Sequence, residues 1–221
     1  MKSVILIAAP AAGKGTEAVK LEEQFHIPHI STGDLLRDAV KQGTEYASII
    51  EEYQNKGEFV PFEIVLKVLK NRILQPDCDN GYILDGFPRD LAQAEAYDEI
   101  LKEINKNLGY VIVLDIDKEI AKSRISGRYS CPSCGRVYNI NTAPKPLNDG
   151  LCDVCNTKLT HRDDDDADVY EQRYKSYLEK TEPLISYYEK KGNVYHVDSS
   201  VTPEYTHEQV VKILGEWVWF Q

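Results

Sequence analysis

The segment that most constrains this chain stands at its start. Four apolar residues, Val4-Ile5-Leu6-Ile7, run into Ala8-Ala9-Pro10-Ala11-Ala12-Gly13-Lys14-Gly15-Thr16, and a helical pattern continues from Thr16 to Phe25. A short unbroken apolar run before a helix fits a strand covered on both faces, as in a parallel sheet. The turn between such a strand and a helix N-terminus gathers backbone N–H groups that can cradle phosphate oxygens, and Lys14 adds a positive charge. Two positions depart from the strict pattern G-x-x-x-x-G-K-[ST]: Ala8 replaces the first glycine and Gly15 stands where Ser or Thr is expected. Ala8 fits if its backbone is extended or helical; a positive φ would strain it. Because Gly13, Lys14, Gly15 and Thr16 all remain, the ordinary angle is expected, although Ala11 narrows the choices. The plainer reading is a strand-to-helix turn with a solvated lysine. Lys2 and the apolar run also loosely resemble a secretory leader, but the apolar core is only four residues long.

Further short apolar runs at Tyr82-Ile83-Leu84, Tyr110 to Leu114 and Val194 to Val197 are flanked by helical patterns, which predicts an α/β architecture. Ser31 to Ile73 reads as mostly helical, broken by Gly43, Gly57 and Pro61. Tyr129 to His161, rich in Cys, Pro, Gly and Asn, reads as an insertion with its own architecture. A helical stretch from about Asp164 to Lys190 is interrupted at Pro183, and Thr202-Pro203 reads as a cap and first turn opening the last helix. The 221 residues carry a net charge of -10. That surface repels polyanions and argues against a nucleic-acid partner. No apolar run approaches a membrane span, and five cysteines fit a reducing cytoplasm. Against this acidic background the eight arginines carry information.

Ser31-Thr32-Gly33-Asp34-Leu35-Leu36-Arg37 follows the first predicted helix, and Leu84-Asp85-Gly86-Phe87-Pro88-Arg89 follows a later predicted strand. With Gly13-Lys14-Gly15-Thr16, Ser123 to Arg128, Leu159-Thr160-His161-Arg162 and Pro183 to Tyr188, they closely resemble the adenylate kinase family over nearly the whole chain. The resemblance implies a P-loop NTPase-type parallel sheet flanked by helices. It implies a core (1–30, 61–126 and 165–221), a helical AMP-binding segment (31–60) and a lid (127–164), and reversible transfer of a phosphoryl group between ATP and AMP by a monomer. By that likeness Ala11, Ala12, Gly13, Lys14, Gly15, Thr16, Arg124, Arg128, Val137, Tyr138 and Val201 lie on the ATP side. Thr32, Arg37, Glu58, Phe59, Val60, Gly86, Arg89 and Gln93 meet AMP, and Arg162 and Arg173 embrace the transferred group. Lys14, Arg89, Arg128, Arg162 and Arg173 would act in catalysis, and Asp85 would hold a water on Mg²⁺. Such a reaction needs positioning and cations but no general base.

Plainer roles compete for several of these residues. Asp90-Leu91-Ala92-Gln93 has capping-box spacing, Arg37 could pair with Asp34 or Asp38, and Arg162 could neutralise Asp163 to Asp166. A pyrimidine monophosphate kinase, a GTP-using relative and an inactive nucleotide-binding relative are the nearest alternatives, with Thr32 and Gln93 favouring adenine by resemblance.

Cys131-Pro132-Ser133-Cys134 and Cys152-Asp153-Val154-Cys155 are two C-x₂-C knuckles 17 residues apart, the spacing of a tetrahedral four-thiolate zinc site. Two disulfides are the competing reading, disfavoured by a reducing compartment. A nucleic-acid-binding zinc ribbon is disfavoured by the charge and by the few cations nearby. A closed four-thiolate site makes the metal structural, and zinc-bearing lids occur among bacterial adenylate kinases. Cys78 stands apart as a plain thiol.

Overall fold

A computed structural model of the chain describes residues 3–55, 60–142, 144–161 and 167–215. The described elements, in order, are β1 (Val4–Ala8), α1 (Lys14–Phe25), β2 (His29–Ser31), α2 (Thr32–Lys41), α3 (Ala47–Asn55), α4 (Phe62–Ile73), β3 (Ile83–Asp85), α5 (Leu91–Glu103) and β4 (Tyr110–Asp115). Then follow α6 (Lys118–Ser126), β5 (Arg128–Ser130), β6 (Val137–Asn139), β7 (Thr160–His161), α7 (Ala167–Ser176), α8 (Pro183–Glu189), β8 (Val194–Asp198) and α9 (Pro203–Gly215). The parallel main sheet, flanked by helices, has the order β2-β3-β1-β4-β8. Every residue of β1 is buried, as its apolar run requires.

Register decides what the strand ends present. β3 pairs in parallel with β1, Leu6 opposite Asp85, and with β2, His29 opposite Ile83 and Ser31 opposite Asp85. Side chains alternate along a strand, so His29, Ser31 and Asp85 share one face of the sheet. β2 was not anticipated: three residues are too few to show a period against the helical pattern that follows.

The helical territory breaks where expected at Gly43, whose φ is 63°, and at Pro61, the N-cap of α4; Gly57 lies outside the described residues. The cysteine-bearing insertion folds as a separate antiparallel sheet in the order β6-β5-β7. Near Pro183 the chain leaves α geometry. Tyr177–Thr181 form a π-helical turn in which the Glu182 N–H donates to the Tyr177 carbonyl over 2.9 Å. A proline cannot donate and its ring crowds the carbonyl four residues back, which widens the preceding turn. Thr202 caps α9, its Oγ1 accepting the Tyr205 N–H at 3.2 Å, with Pro203 in the first turn.

The described residues form two compact units. One comprises the chain up to Leu6, Ala18–Val111 and Pro183–Val194; the other comprises Ile7–Glu17, Ile112–Glu182 and Tyr195 onward. In the first, the Tyr82 and Tyr97 hydroxyls share a buried hydrogen bond of 2.7 Å, and Cys78 is a core thiol whose pKa burial pushes up to about 11. In the second, Ala121, Ile125 and Tyr170 form a small apolar cluster between α6 and α7.

Candidate functional site

The phosphate loop connects β1 to α1. The Gly13 carbonyl accepts the Glu17 N–H at 3.0 Å, the first bond of the helix. The N–H groups of Lys14, Gly15 and Thr16 therefore belong to a first turn that has no intrahelical acceptors, at the positive end of the helix dipole. Gly13 takes φ 94° with open space where a Cβ would stand, so its dihedral, not crowding, requires glycine. Ala8 ends β1 as an ordinary strand residue, as expected. The left-handed backbone falls on Ala11 instead, at φ 64°. Alanine there costs about 1–2 kcal/mol over an ordinary angle. Ala11 packs against the Ala121, Ile125 and Tyr170 cluster, and burying a methyl recovers up to about 0.8 kcal/mol. Glu17, 2% exposed, meets His207 Nδ1 at 3.0 Å and joins the first turn of α1 to α9.

A second group of candidates lies in the other unit, after β2 and β3. The Gly86 carbonyl accepts two bonds, from Thr32 Oγ1 at 3.0 Å and from Arg89 Nε at 2.8 Å. Gly86 has φ 79°, and a Cβ there would stand 3.1 Å from Arg89 Nη2. Glycine thus brings the carbonyl under the guanidinium without obstructing it. The peptide bond between Phe87 and Pro88 is cis. Asp85 Oδ2 lies 3.1 Å from His29 Nε2, and both side chains are largely buried. His29 was missed by sequence reasoning because 56 residues separate the partners. Arg37 pairs with Asp34 at 2.5 Å on an exposed helix face, the plainer of its two expected roles. Ser31 caps α2, its Oγ accepting the Asp34 N–H at 3.1 Å, and hydrogen bonds from Ser31 and Arg37 lower the pKa of Asp34.

Gln93 also serves the plainer role. Asp90 caps α5 by accepting the Gln93 N–H at 2.9 Å, while Gln93 Oε1 accepts the Arg89 N–H at 2.8 Å and its Nε2 donates to Asp90. The side-chain amide has four hydrogen-bonding positions and the cap uses two of them. Val60 precedes α4; Glu58, Phe59 and Arg162 lie outside the described residues.

Arg124 is committed to three backbone carbonyls. Its guanidinium donates to the carbonyls of Ser199 at 2.7 Å, Ser200 at 2.8 Å and Val201 at 3.2 Å, and burial lowers its pKa. The side chain therefore shapes the loop that carries Val201. Asn139, unnoticed in the sequence, joins β6 to α6 by donating to the Arg124 carbonyl at 2.7 Å. Arg128 begins β5 opposite Asn139, and Arg173 lies in the last turn of α7. Val137 begins β6. Tyr138 is 1% exposed and accepts the Asp153 N–H at 2.9 Å, so only its backbone is available to a nucleotide.

The four knuckle cysteines converge, their sulfurs all within 4.8 Å of one another. Cys131 to Cys155 is 3.3 Å, Cys134 to Cys152 is 3.5 Å and Cys134 to Cys155 is 3.8 Å. A tetrahedron with bonds of about 2.3 Å has edges of about 3.8 Å, so the cluster suits one metal ion. The Tyr138 hydroxyl, above all, lowers the Cys152 pKa to about 6, and the Thr157 hydroxyl lowers that of Cys155. These two shifts favour the thiolate that a metal takes up, whereas the Cys134 pKa, although the Arg136 backbone lowers it, is pushed up to about 12 by hydrogen bonds with the neighbouring cysteines.

A phosphate loop leading off a parallel strand, with further motif segments following β2 and β3, defines a P-loop phosphotransferase of the nucleoside monophosphate kinase class. The adenylate kinase family model matches residues 6–193. A protein from Archaeoglobus fulgidus named adenylate kinase is 48% identical over 212 residues, covering 96% of this chain and 97% of its own. One of the same name from Thermotoga petrophila is 44% identical over 216 residues, 97% and 98% of the two chains. The chain belongs to the adenylate kinase family.

Proposed function

We propose that the chain transfers the terminal phosphoryl group of ATP to AMP, reversibly, giving two ADP. The observation that carries this reading is the seat of Arg89. The Gly86 carbonyl fixes the guanidinium at Nε, and the terminal nitrogens of such a group form a planar fork suited to a phosphate. Thr32, on the same carbonyl, meets AMP, with Arg37, Glu58, Phe59, Val60 and Gly86. Gln93 reads the adenine edge with the amide positions that its cap leaves over.

On the ATP side, the loop from Ala11 to Thr16 cradles the phosphates and Lys14 supplies charge. Val137, Tyr138 and Val201 line the adenine through backbone groups, Arg124 sets the Val201 loop, and Arg128 adds a second cation. Arg162 and Arg173 embrace the transferred group. The AMP oxygen is already an anion at neutral pH, so these cations act by orienting both phosphates and by offsetting charge on the equatorial oxygens. Mg²⁺ would supply charge neutralisation on the ATP phosphates. Asp85, oriented by His29, would hold one of its waters, as suits a hard cation and a carboxylate fixed by a neighbour.

The molecule divides into a core (1–30, 61–126, 165–221), an AMP-binding segment (31–60) and a lid (127–164) that excludes water on closing. The metal in the lid is zinc, held by Cys131, Cys134, Cys152 and Cys155. The enzyme works as a monomer in the cytoplasm, whose reducing conditions suit five cysteines with no disulfide among them. Among the described residues no helix is long and apolar enough to cross a membrane.

Arg89→Ala should lower kcat/KM by about 10² or more, at the low end of what a phosphate-contacting arginine contributes. Its thermal midpoint should stay near that of the parent. Steady-state kinetics with AMP varied decide the matter; a variant with near-normal kcat/KM removes Arg89 from the site.

A further inference from the structure

We propose that His207 is a positioning residue: its bond to Glu17 makes α9 a strut that holds the loop carrying Val201 in place against the phosphate loop, so that one nucleotide meets both. The proposal rests on the reading of residues 11–16 as the ATP phosphate loop and of Val201 as its adenine side.

All the residues of this connection belong to one compact unit. At one end, the Glu17 N–H donates to the Gly13 carbonyl over 3.0 Å and closes the first turn behind the phosphate loop. The Glu17 side chain, 2% exposed, meets His207 Nδ1 at 3.0 Å; an ionised carboxylate only accepts, so His207 donates. A buried hydrogen bond to a charged group is costly to break. At the other end, α9 is stapled to the loop before it. Gln209 Oε1 accepts the Asp198 N–H at 3.0 Å, while its Nε2 donates to the Asp198 carbonyl at 2.8 Å. Thr206 Oγ1 donates to the same carbonyl at 3.3 Å, and Thr202 caps the helix. Arg124 holds the carbonyls of Ser199, Ser200 and Val201 between these points. The loop from Asp198 to Thr202 therefore moves with α9. His207 stands in the second turn of α9, about 6 Å along the axis from Pro203, so a shift of this end against α1 is passed on to Val201. A ligand that bridges two elements binds in proportion to the population in which both are placed for it; a ligand held by one element does not pay that cost.

The test compares ATP with inorganic tripolyphosphate, which lacks the base, by calorimetric titration of the full chain with AMP saturating and no added magnesium. Charge changes near the phosphates act on both ligands and cancel in the ratio of their affinities. In His207→Leu, which removes the donor, the preference for ATP over tripolyphosphate should fall about three- to tenfold, the scale expected if the competent arrangement drops to a third or a tenth of the population. His207→Asn, whose amide N–H stands near the place of Nδ1, should keep the preference within about twofold of the parent's. Gln209→Ala frees the Asp198 backbone at the other end of the strut without touching the buried carboxylate, and it should lower the preference in the same direction. An unchanged preference in His207→Leu, or in Gln209→Ala should His207→Leu fail to fold, would overturn the proposal. Equal weakening of both ligands in His207→Leu would also overturn it and leave the pair as support for the phosphate loop alone. A parent chain that binds neither ligand would instead sink the reading of the phosphate loop, and one that binds tripolyphosphate as tightly as ATP would sink the reading of Val201.

Discussion

Replacing Gly109 with alanine should remove the folded state. Gly109 is buried immediately before β4, and the Ser3 carbonyl accepts the Tyr110 N–H at 2.8 Å. An added Cβ would stand 1.7 Å from the Ser3 oxygen and 2.6 Å from its carbon. Both atoms are backbone at the edge of β1, so no side-chain rotation relieves the overlap. The strand must move, and with it the pairing that carries Val4–Ala8 through the core. Close-packed interiors accept little such movement, and the cost should exceed about 4 kcal/mol, a large share of a typical domain's 5–15. Circular dichroism and expression yield would show it. A soluble variant melting within a few degrees of the parent would mean that the backbone there is far looser than described.

Removing the proposed zinc should unfold the cysteine-bearing segment and spare the rest. Among the described residues, the buried cluster there comprises Cys131, Tyr138, Cys152 and Leu159, with Tyr129 packed on it. Segments of this size rarely sustain a core without a metal or disulfides, and structural zinc contributes roughly 10–16 kcal/mol of apparent binding energy in small peptides. Cys152→Ser should lose the ion, and chelation should do the same to the parent. Limited proteolysis should then cut between residues 131 and 160, while the remainder of the chain stays resistant. A stoichiometric metal assay before and after chelation accompanies the digestion. Full protection without metal, or four free thiols with no metal in the protein as purified, would overturn the zinc assignment.

The features most legible in the sequence were those whose causes are local. The cysteine knuckles declare their chemistry through spacing, Thr202-Pro203 marks the start of α9, and Asp90 caps Gln93 three residues on. What could not be read depends on register and on the dihedral of a single residue. His29 meets Asp85 because β2 and β3 align in a register that no local pattern encodes. Asn139 ties β6 to α6 through a carbonyl fifteen residues away. Pattern matching drew attention to Ala8, the position of the motif's first glycine, but a motif does not say which of its glycines needs a positive φ. The chain needs it at Ala11 and tolerates alanine there. The capping-box reading of Gln93 was close, though its oxygen accepts from Arg89 and not from Asp90.

The central claim is phosphoryl transfer from ATP to AMP, and one coupled assay tests it directly. ADP formation is followed with ATP and Mg²⁺ plus AMP, UMP, CMP or GMP in turn. An adenine-reading site leaves polar groups unpaired with the wrong base, so kcat/KM for AMP should exceed that for UMP and CMP by about 10² or more. Comparable kcat/KM for AMP and CMP, or no ADP from ATP and AMP, would contradict it.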